Sequence, residues 1–172
     1  MFLINNREIG ESNPAYIIAE MGINHNGRLD IALKMVEEAA KSGVDAVKIQ
    51  IVYSGKSYTK ETDSYAIFKK VEMPADEWEK VIILAKNLGI DIFATFTQSE
   101  DISMVEQYEL PAIKISSSNI NNFPLLMTAL KTGKPLLLST GLSYLSEIDE
   151  AVMFLERNGN NQIGLLQCTA LY

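Results

Sequence analysis

The chain has 172 residues, 47% of them hydrophobic and 22% charged, with a formal net charge of -7. That composition fits one globular domain with a real core, and its acidity argues against a general nucleic-acid binder. A single cysteine, Cys168, excludes an internal disulfide and fits a reducing cytoplasm, and no apolar run approaches the length of a membrane span. No low-complexity segment or linker divides the chain.

In chain order, Phe2 to Ile4 followed by Asn5 and Asn6 reads as a short strand and turn. Tyr16 to Ala19 is an apolar run suited to a buried strand, with Glu20 where the strand stops and a turn of small and polar residues, Gly22 to Gly27, behind it. Leu29, Ala32, Leu33, Val36 and Ala40 then fall on one helical face, closed by Gly43. Val44 to Gln50 is the second strand, with Lys48 and Gln50 on one face because side chains alternate. Residues 51–73 show no strong period and read mainly as a long loop, partly helical at most. Pro74 opens a helix whose apolar face is Trp78, Val81, Ile82, Ala85 and Leu88, which places Trp78 in the core.

Ile90 to Thr95 is the third strand, followed by hydroxyls and an amide up to Gln98 and a short helix over about residues 99–108. Ala112 to Ile115 is the fourth strand and runs into Ser116, Ser117, Ser118 and Asn119. A helix follows from Asn122 to Gly133, then a fifth strand from Pro135 to Ser139. Ser146 to Asp149 resembles a capping box ahead of the next helix, and Ile163 to Cys168 is the sixth strand.

Strands that are apolar throughout and alternate with helices predict a parallel sheet covered on both faces. Gly22 and Gly27 do not have the spacing of a dinucleotide-binding fingerprint, which weighs against a doubly wound open sheet. Polar groups follow strands one to five without a gap: Glu20, Lys48 with Gln50, Thr95, Lys114 with Ser117, and Ser139. A (β/α) barrel brings such ends to one mouth. The expectation is an α/β protein, a parallel barrel of TIM type left incomplete, with about six of eight strand–helix units. Lysines among hydroxyls predict a small phosphorylated or acidic ligand, with Glu20 as the acid–base group or the anchor of a sugar hydroxyl.

Five stretches carry a resemblance. Ile17-Ile-Ala-Glu-Met-Gly-Ile-Asn-His-Asn-Gly27, Asp45-Ala-Val-Lys-Ile-Gln50, Lys114-Ile-Ser-Ser-Ser-Asn-Ile-Asn-Asn-Phe-Pro-Leu-Leu126, Gly133-Lys-Pro-Leu-Leu-Leu-Ser-Thr-Gly141 and Leu165-Leu-Gln-Cys-Thr169, in that order, resemble the sialic acid synthase family. That family includes the N-acetylneuraminate, legionaminate and pseudaminate synthases. The resemblance implies residues 1–172 are a truncated N-terminal barrel domain, without the family's small C-terminal antifreeze-like domain. It implies condensation of phosphoenolpyruvate with an N-acetylated amino sugar such as N-acetylmannosamine, releasing phosphate, in carbohydrate biosynthesis. It implies Glu20 as the catalytic acid beside the sugar and metal, and Lys48, Thr95, Lys114, Ser117 and Ser139 as phosphoenolpyruvate-binding positions. Gln50 lies beside them, and Asn119 and Tyr172 fall at positions near the sugar. It further implies a divalent metal, manganese or magnesium, whose ligands lie beyond Tyr172, a homodimer at full length, a cytoplasmic location, and no nucleic-acid or membrane partner.

Three departures qualify that carry-over. Asn119 stands where the family commonly has an acid, and Ala170 where some members have a phosphate-holding asparagine. The family's metal-binding histidines have no counterpart, because the one histidine here, His25, lies in the turn after Glu20 and reads as structural. The chain alone is therefore expected not to catalyse the condensation. Two other functions stay open at this point: a Schiff-base aldolase using Lys48 or Lys114, and a non-catalytic anion-binding module. Cys168 reads as a buried small apolar residue.

Overall fold

Apolar strands separated by amphipathic helices bury themselves by pairing side by side under a cover of helices, and each half of the chain does so. The structure, a computed structural model, describes residues 2–170. Ala15–Gln98 form one compact unit, and the segment up to Pro14 together with residues from Ser99 onward forms the other. The expected role of Tyr172 lies outside the described residues.

In the first unit, β3 (Ile18–Gly22), β4 (Ala46–Ile51) and β5 (Asp91–Phe96) pair in parallel. Ala46, Val47, Ile49 and Ile51 of β4 are all buried, as are Ile92, Phe93, Ala94 and Phe96 of β5. Acids at the strand starts are structural: Asp45 accepts from the Ile17 amide at 2.6 Å, and Asp91 accepts from the Tyr16 hydroxyl at 2.6 Å. Helix α1 (Leu29–Ser42) buries Ala32 and Val36, and α4 (Ala75–Asn87) buries Trp78, Val81, Ile82 and Ala85, the stripe read from the sequence. Leu88, expected on that stripe, is exposed, because the helix has ended and Leu88 is its C-terminal cap. Gly43 ends α1 in the left-handed region at φ +77°, which a side chain would strain.

The connection from β4 to α4 departs from expectation. Instead of a long loop it contains two helices, α2 (Ser54–Ser57) and α3 (Asp63–Val71). Thr62 caps α3 by accepting from the Tyr65 amide at 3.2 Å, and Tyr58 stacks on Phe68 with ring centroids 4.8 Å apart. The insert is tied down by Glu72, whose carboxylate accepts from the Ser54 amide at 2.5 Å and pairs with Lys69 at 2.7 Å. Burial pushes the Glu72 carboxyl up, but the Lys69 and Ser54 donors prevail and hold it below the usual range. Of the α3 residues only Val71 is buried and Ile67 is exposed.

In the second unit, β1 (Phe2–Ile4) and β2 (Arg7–Ile9) form an antiparallel hairpin. The short helix expected near residues 99–108 is a 3-10 turn, Ser99–Ile102, leading into α5 (Ser103–Gln107). Strands β6 (Ile113–Ile115), β7 (Leu136–Ser139) and β8 (Ile163–Leu166) pair in parallel. Helix α6 (Phe123–Leu130) is capped by the Asn122 side chain, which accepts from the Leu125 amide at 3.2 Å. The capping box expected at Ser146 lies earlier. Helix α7 (Leu145–Arg157) begins ahead of Ser146, and Glu147 accepts from the Tyr144 amide at 2.8 Å. Six parallel strands alternating with helices, three in each unit, are those of an incomplete (β/α) barrel of TIM type.

Candidate active site

In each unit a lysine inside a buried strand reaches diagonally to a hydroxyl nearer the C-terminal end of the next one. Lys48 of β4 is in register with Phe93 of β5, and its ammonium donates at 2.9 Å to Thr95, two residues further on. Lys114 of β6 is in register with Leu137 of β7, and its ammonium donates to Ser139, again two residues further on, and to the Ile115 carbonyl at 2.7 Å. A step of two keeps a side chain on the same face of a strand, so the two arrangements obey one geometric rule. All four side chains are buried: Lys48 and Lys114 are each 7% exposed, Thr95 3% and Ser139 8%. A lysine so deeply placed needs partners to offset its desolvation.

Glu20 supplies one. It lies directly opposite Lys48 in the β3–β4 register, and its carboxylate sits 2.9 Å from the ammonium. The Glu20 side chain is 58% exposed, so it reaches from solvent to the buried lysine. Strand β3 runs through Glu20 to Gly22, and the pairing slips between those two residues. The left-handed Gly22, φ +53°, leaves room there: a Cβ on it would come within 3.2 Å of the Glu20 carboxylate. Gln50 is half-buried on the Lys48 face of β4, in register with Thr95. Beyond β5, Ser57 of α2 lies 3.1 Å from the Thr97 hydroxyl, and Gln98 donates to Ser57 and to the Lys56 carbonyl at 3.2 Å each. The helical insert is thereby pinned to the end of β5.

In the second unit Ser117 accepts from the Gly141 amide at 3.0 Å, which joins the turn after β6 to the turn after β7. The approach is close at Gly141, where a Cβ would come to 3.0 Å from the Ser117 hydroxyl and 3.3 Å from the Cys168 carbonyl. Ala170 borders the same spot, its Cβ 3.4 Å from that position. Asn119 donates to Ser116 and accepts from Asn122, both at 3.2 Å, and so orients the residue that caps α6. Cys168 is not the buried apolar residue expected. It is half-buried, with its sulfur 3.2 Å from the Ser139 hydroxyl and 3.3 Å from the Leu166 carbonyl. A strand pattern alone does not reveal a thiol beyond the last paired residue, and only the β7–β8 pairing puts it beside Ser139.

The residues present do not make a metal centre. Among the described residues, no group of three or more His, Cys, Asp or Glu side chains is placed to hold a metal ion. Glu20 is engaged by Lys48, and His25 is buried under its own turn. No helix among the described residues is long and apolar enough to cross a membrane.

A parallel α/β barrel half whose polar side chains gather toward the strand ends belongs to the class of TIM-type barrel proteins. Residues 35–172 match the NeuB family, and the chain belongs to it. It is similar to the spore coat polysaccharide biosynthesis protein SpsE of Bacillus subtilis, 31% identical over 99% of this chain and 49% of that protein. It is 34% identical to the N,N'-diacetyllegionaminic acid synthase of Campylobacter jejuni over 91% of this chain and 52% of that one. Among solved structures it resembles the N-acetylneuraminic acid synthetase of Leptospira borgpetersenii, with a TM-score of 0.94 and 31% identity over 99% of this chain and 60% of that chain. The chain spans about half the length of the curated relatives it matches.

Proposed function

We propose that this chain is the N-terminal part of a nonulosonic acid synthase that condenses phosphoenolpyruvate with an N-acetylated amino sugar and releases phosphate. Family membership and the names of its relatives support the general class. The observation that carries the reading to phosphoenolpyruvate is the repeated lysine–hydroxyl diagonal, Lys48 to Thr95 and Lys114 to Ser139. Each is a buried ammonium beside a directed donor, the pairing that suits phosphate and carboxylate oxygens. In this proposal Lys48, Thr95, Lys114, Ser117 and Ser139 bind phosphoenolpyruvate and Glu20 is the acid–base group. Gln50, Asn119 and Tyr172 contribute to substrate binding, and the enolpyruvate carbon attacks the open-chain sugar aldehyde.

A Schiff-base aldolase using Lys48 or Lys114 is the alternative, and borohydride trapping of a pyruvate adduct would favour it. The residues in hand offer no metal site, so no step is assigned to a metal. A role for manganese or magnesium, held by residues outside those described, stays part of the proposal for the full-length enzyme, as does its dimerisation. The test is calorimetry with phosphoenolpyruvate, followed by a phosphate-release assay with N-acetylmannosamine. Binding of phosphoenolpyruvate without phosphate release is expected of the 172-residue chain. No binding at millimolar phosphoenolpyruvate overturns the reading.

A further inference from the structure

The turn that follows Glu20 is held by a residue the proposed chemistry does not use. We propose that His25 is a positioning residue whose neutral imidazole latches the β3–α1 turn and thereby sets Glu20 against Lys48, so that gaining a proton releases the latch. This rests on the reading of Glu20 and Lys48 as working residues.

His25 is fully buried, and its ring stands edge-on to Trp78 of α4, centroids 5.1 Å apart and planes at 81°. Its Nδ1 accepts from the Gly27 amide at 3.1 Å, in the manner of an Asx turn, in which a side-chain oxygen accepts from the amide two residues on. An accepting Nδ1 leaves the proton of the neutral ring on Nε2. That Nε2 is buried and has no hydrogen-bond partner among the described residues. The imidazolium carries two N–H groups, so protonation at Nδ1 would remove the Gly27 bond while Nε2 gains nothing in return. The same turn carries three backbone bonds. Asn24 donates to Met21, Asn26 to Ile23 and Arg28 to His25, each at 3.0 to 3.1 Å, in one continuous series that begins one residue after Glu20. Gly27, at φ +71°, is pressed against the end of α3, where a Cβ would lie 2.6 Å from the Lys70 carbonyl.

The charged groups of the surrounding elements are engaged elsewhere or face solvent. Glu20 holds Lys48 at the end of β3, Arg28 holds Asp30 at the start of α1, Glu72 holds Lys69 after α3, and Asp76 pairs with Lys80 in α4. Lys70 is exposed and Glu77 is half-exposed. Burial accordingly is the cause that moves the His25 pKa, and it moves it below the ordinary histidine value.

His25 and Trp78 are the chain's single histidine and single tryptophan, which makes the test direct. Three chains are compared between pH 8 and pH 5: wild type, H25N and H25F. Asn restores an acceptor two residues before Gly27, and Phe restores only the volume. Hydrogen exchange at the Gly27 amide should be slow at pH 8 in wild type and H25N, and at least about tenfold faster in H25F. Wild-type Trp78 fluorescence should show one proton transition in the acid range that H25N lacks. Phosphoenolpyruvate affinity of wild type relative to H25N should rise through that same transition, because releasing Glu20 frees Lys48 for the anion. Equal Gly27 exchange in all three chains, or a fluorescence transition unchanged in H25N, overturns the latch. If wild type binds no phosphoenolpyruvate, the function proposed above fails, while Gly27 exchange still decides the role of His25. If the substituted chains do not fold, the wild-type titration decides it alone: the protection of the Gly27 amide, corrected for the intrinsic pH dependence of exchange, must fall with the fluorescence change.

Discussion

Replacing Lys48 by Met separates what the buried ammonium does for binding from what it does for folding. Met fills the volume of the lysine stem, which is 93% buried by the 7% exposure of the residue. The substitution leaves Thr95 without its 2.9 Å donor, a loss of about 1 kcal/mol. It strands no charge, because the Glu20 side chain is 58% exposed and can return to water. Removing the desolvated ammonium acts in the opposite direction, and exchange of a buried ion for an apolar side chain is often neutral or stabilising. The net change in stability is therefore expected within about 1 kcal/mol of wild type. Binding responds differently. A charge-assisted hydrogen bond to an anion contributes about 1.5 to 3 kcal/mol, so phosphoenolpyruvate affinity should fall roughly 10- to 150-fold. Thermal unfolding and calorimetry on the same preparation read the two quantities. A Lys48→Met chain that binds phosphoenolpyruvate within threefold of wild type would refute the assignment of Lys48 to the anion.

Four further outcomes follow from particular contacts. Glu20→Gln removes a carboxylate that competes with the ligand for Lys48, so phosphoenolpyruvate should bind more tightly while stability drops by about 1 kcal/mol, both visible by calorimetry and thermal melting. Gly27→Ala forces φ +71° on a residue with a Cβ and drives that Cβ to 2.6 Å from the Lys70 carbonyl, so a loss of about 2 kcal/mol or more is expected in urea unfolding. Asn119→Asp keeps an acceptor for Asn122, and Ser116 can turn its hydroxyl to donate, so stability should change by less than about 1 kcal/mol; a larger drop would show the amide to be indispensable. The lowered pKa of His25 means the unfolded chain takes up the proton first. Its contribution to stability is complete above about pH 6.5, is lost as pH falls below that value at no more than about 1.4 kcal/mol per pH unit, and stops changing once the folded chain is also protonated. Denaturant titrations of wild type against H25N isolate it.

Much of this chain was legible as a string. The apolar run Ala46 to Ile51 and the stripe Trp78, Val81, Ile82, Ala85 announce a strand buried on both faces and a helix packed by one side, because burial follows the period of the backbone. The alternation of such segments sets the fold class, and the polar residues that end the strands name the candidate ligands of an anion. The family resemblance was carried by motifs in their proper order, and the match over residues 35–172 agrees with it.

Tertiary structure decided the rest, wherever a residue's role depends on a partner distant in sequence. Helix α3 buries only Val71, and it is held by its Thr62 cap and by the Glu72 anchor to Ser54, a partner 18 residues away. The partners of Lys48 could not be read from the sequence, since the β3–β4 register puts Glu20 beside it and the β4–β5 register adds Thr95. Cys168 looked like filler until β8 paired with β7 and brought it to Ser139. Asn119 looked like a lost acid until its amide was found between Ser116 and Asn122. Sequence alone determined which segments must be buried, since that depends on each side chain's own transfer from water. Which polar groups meet inside was fixed only by strand register, because a shift of one residue would turn every one of them to the opposite face.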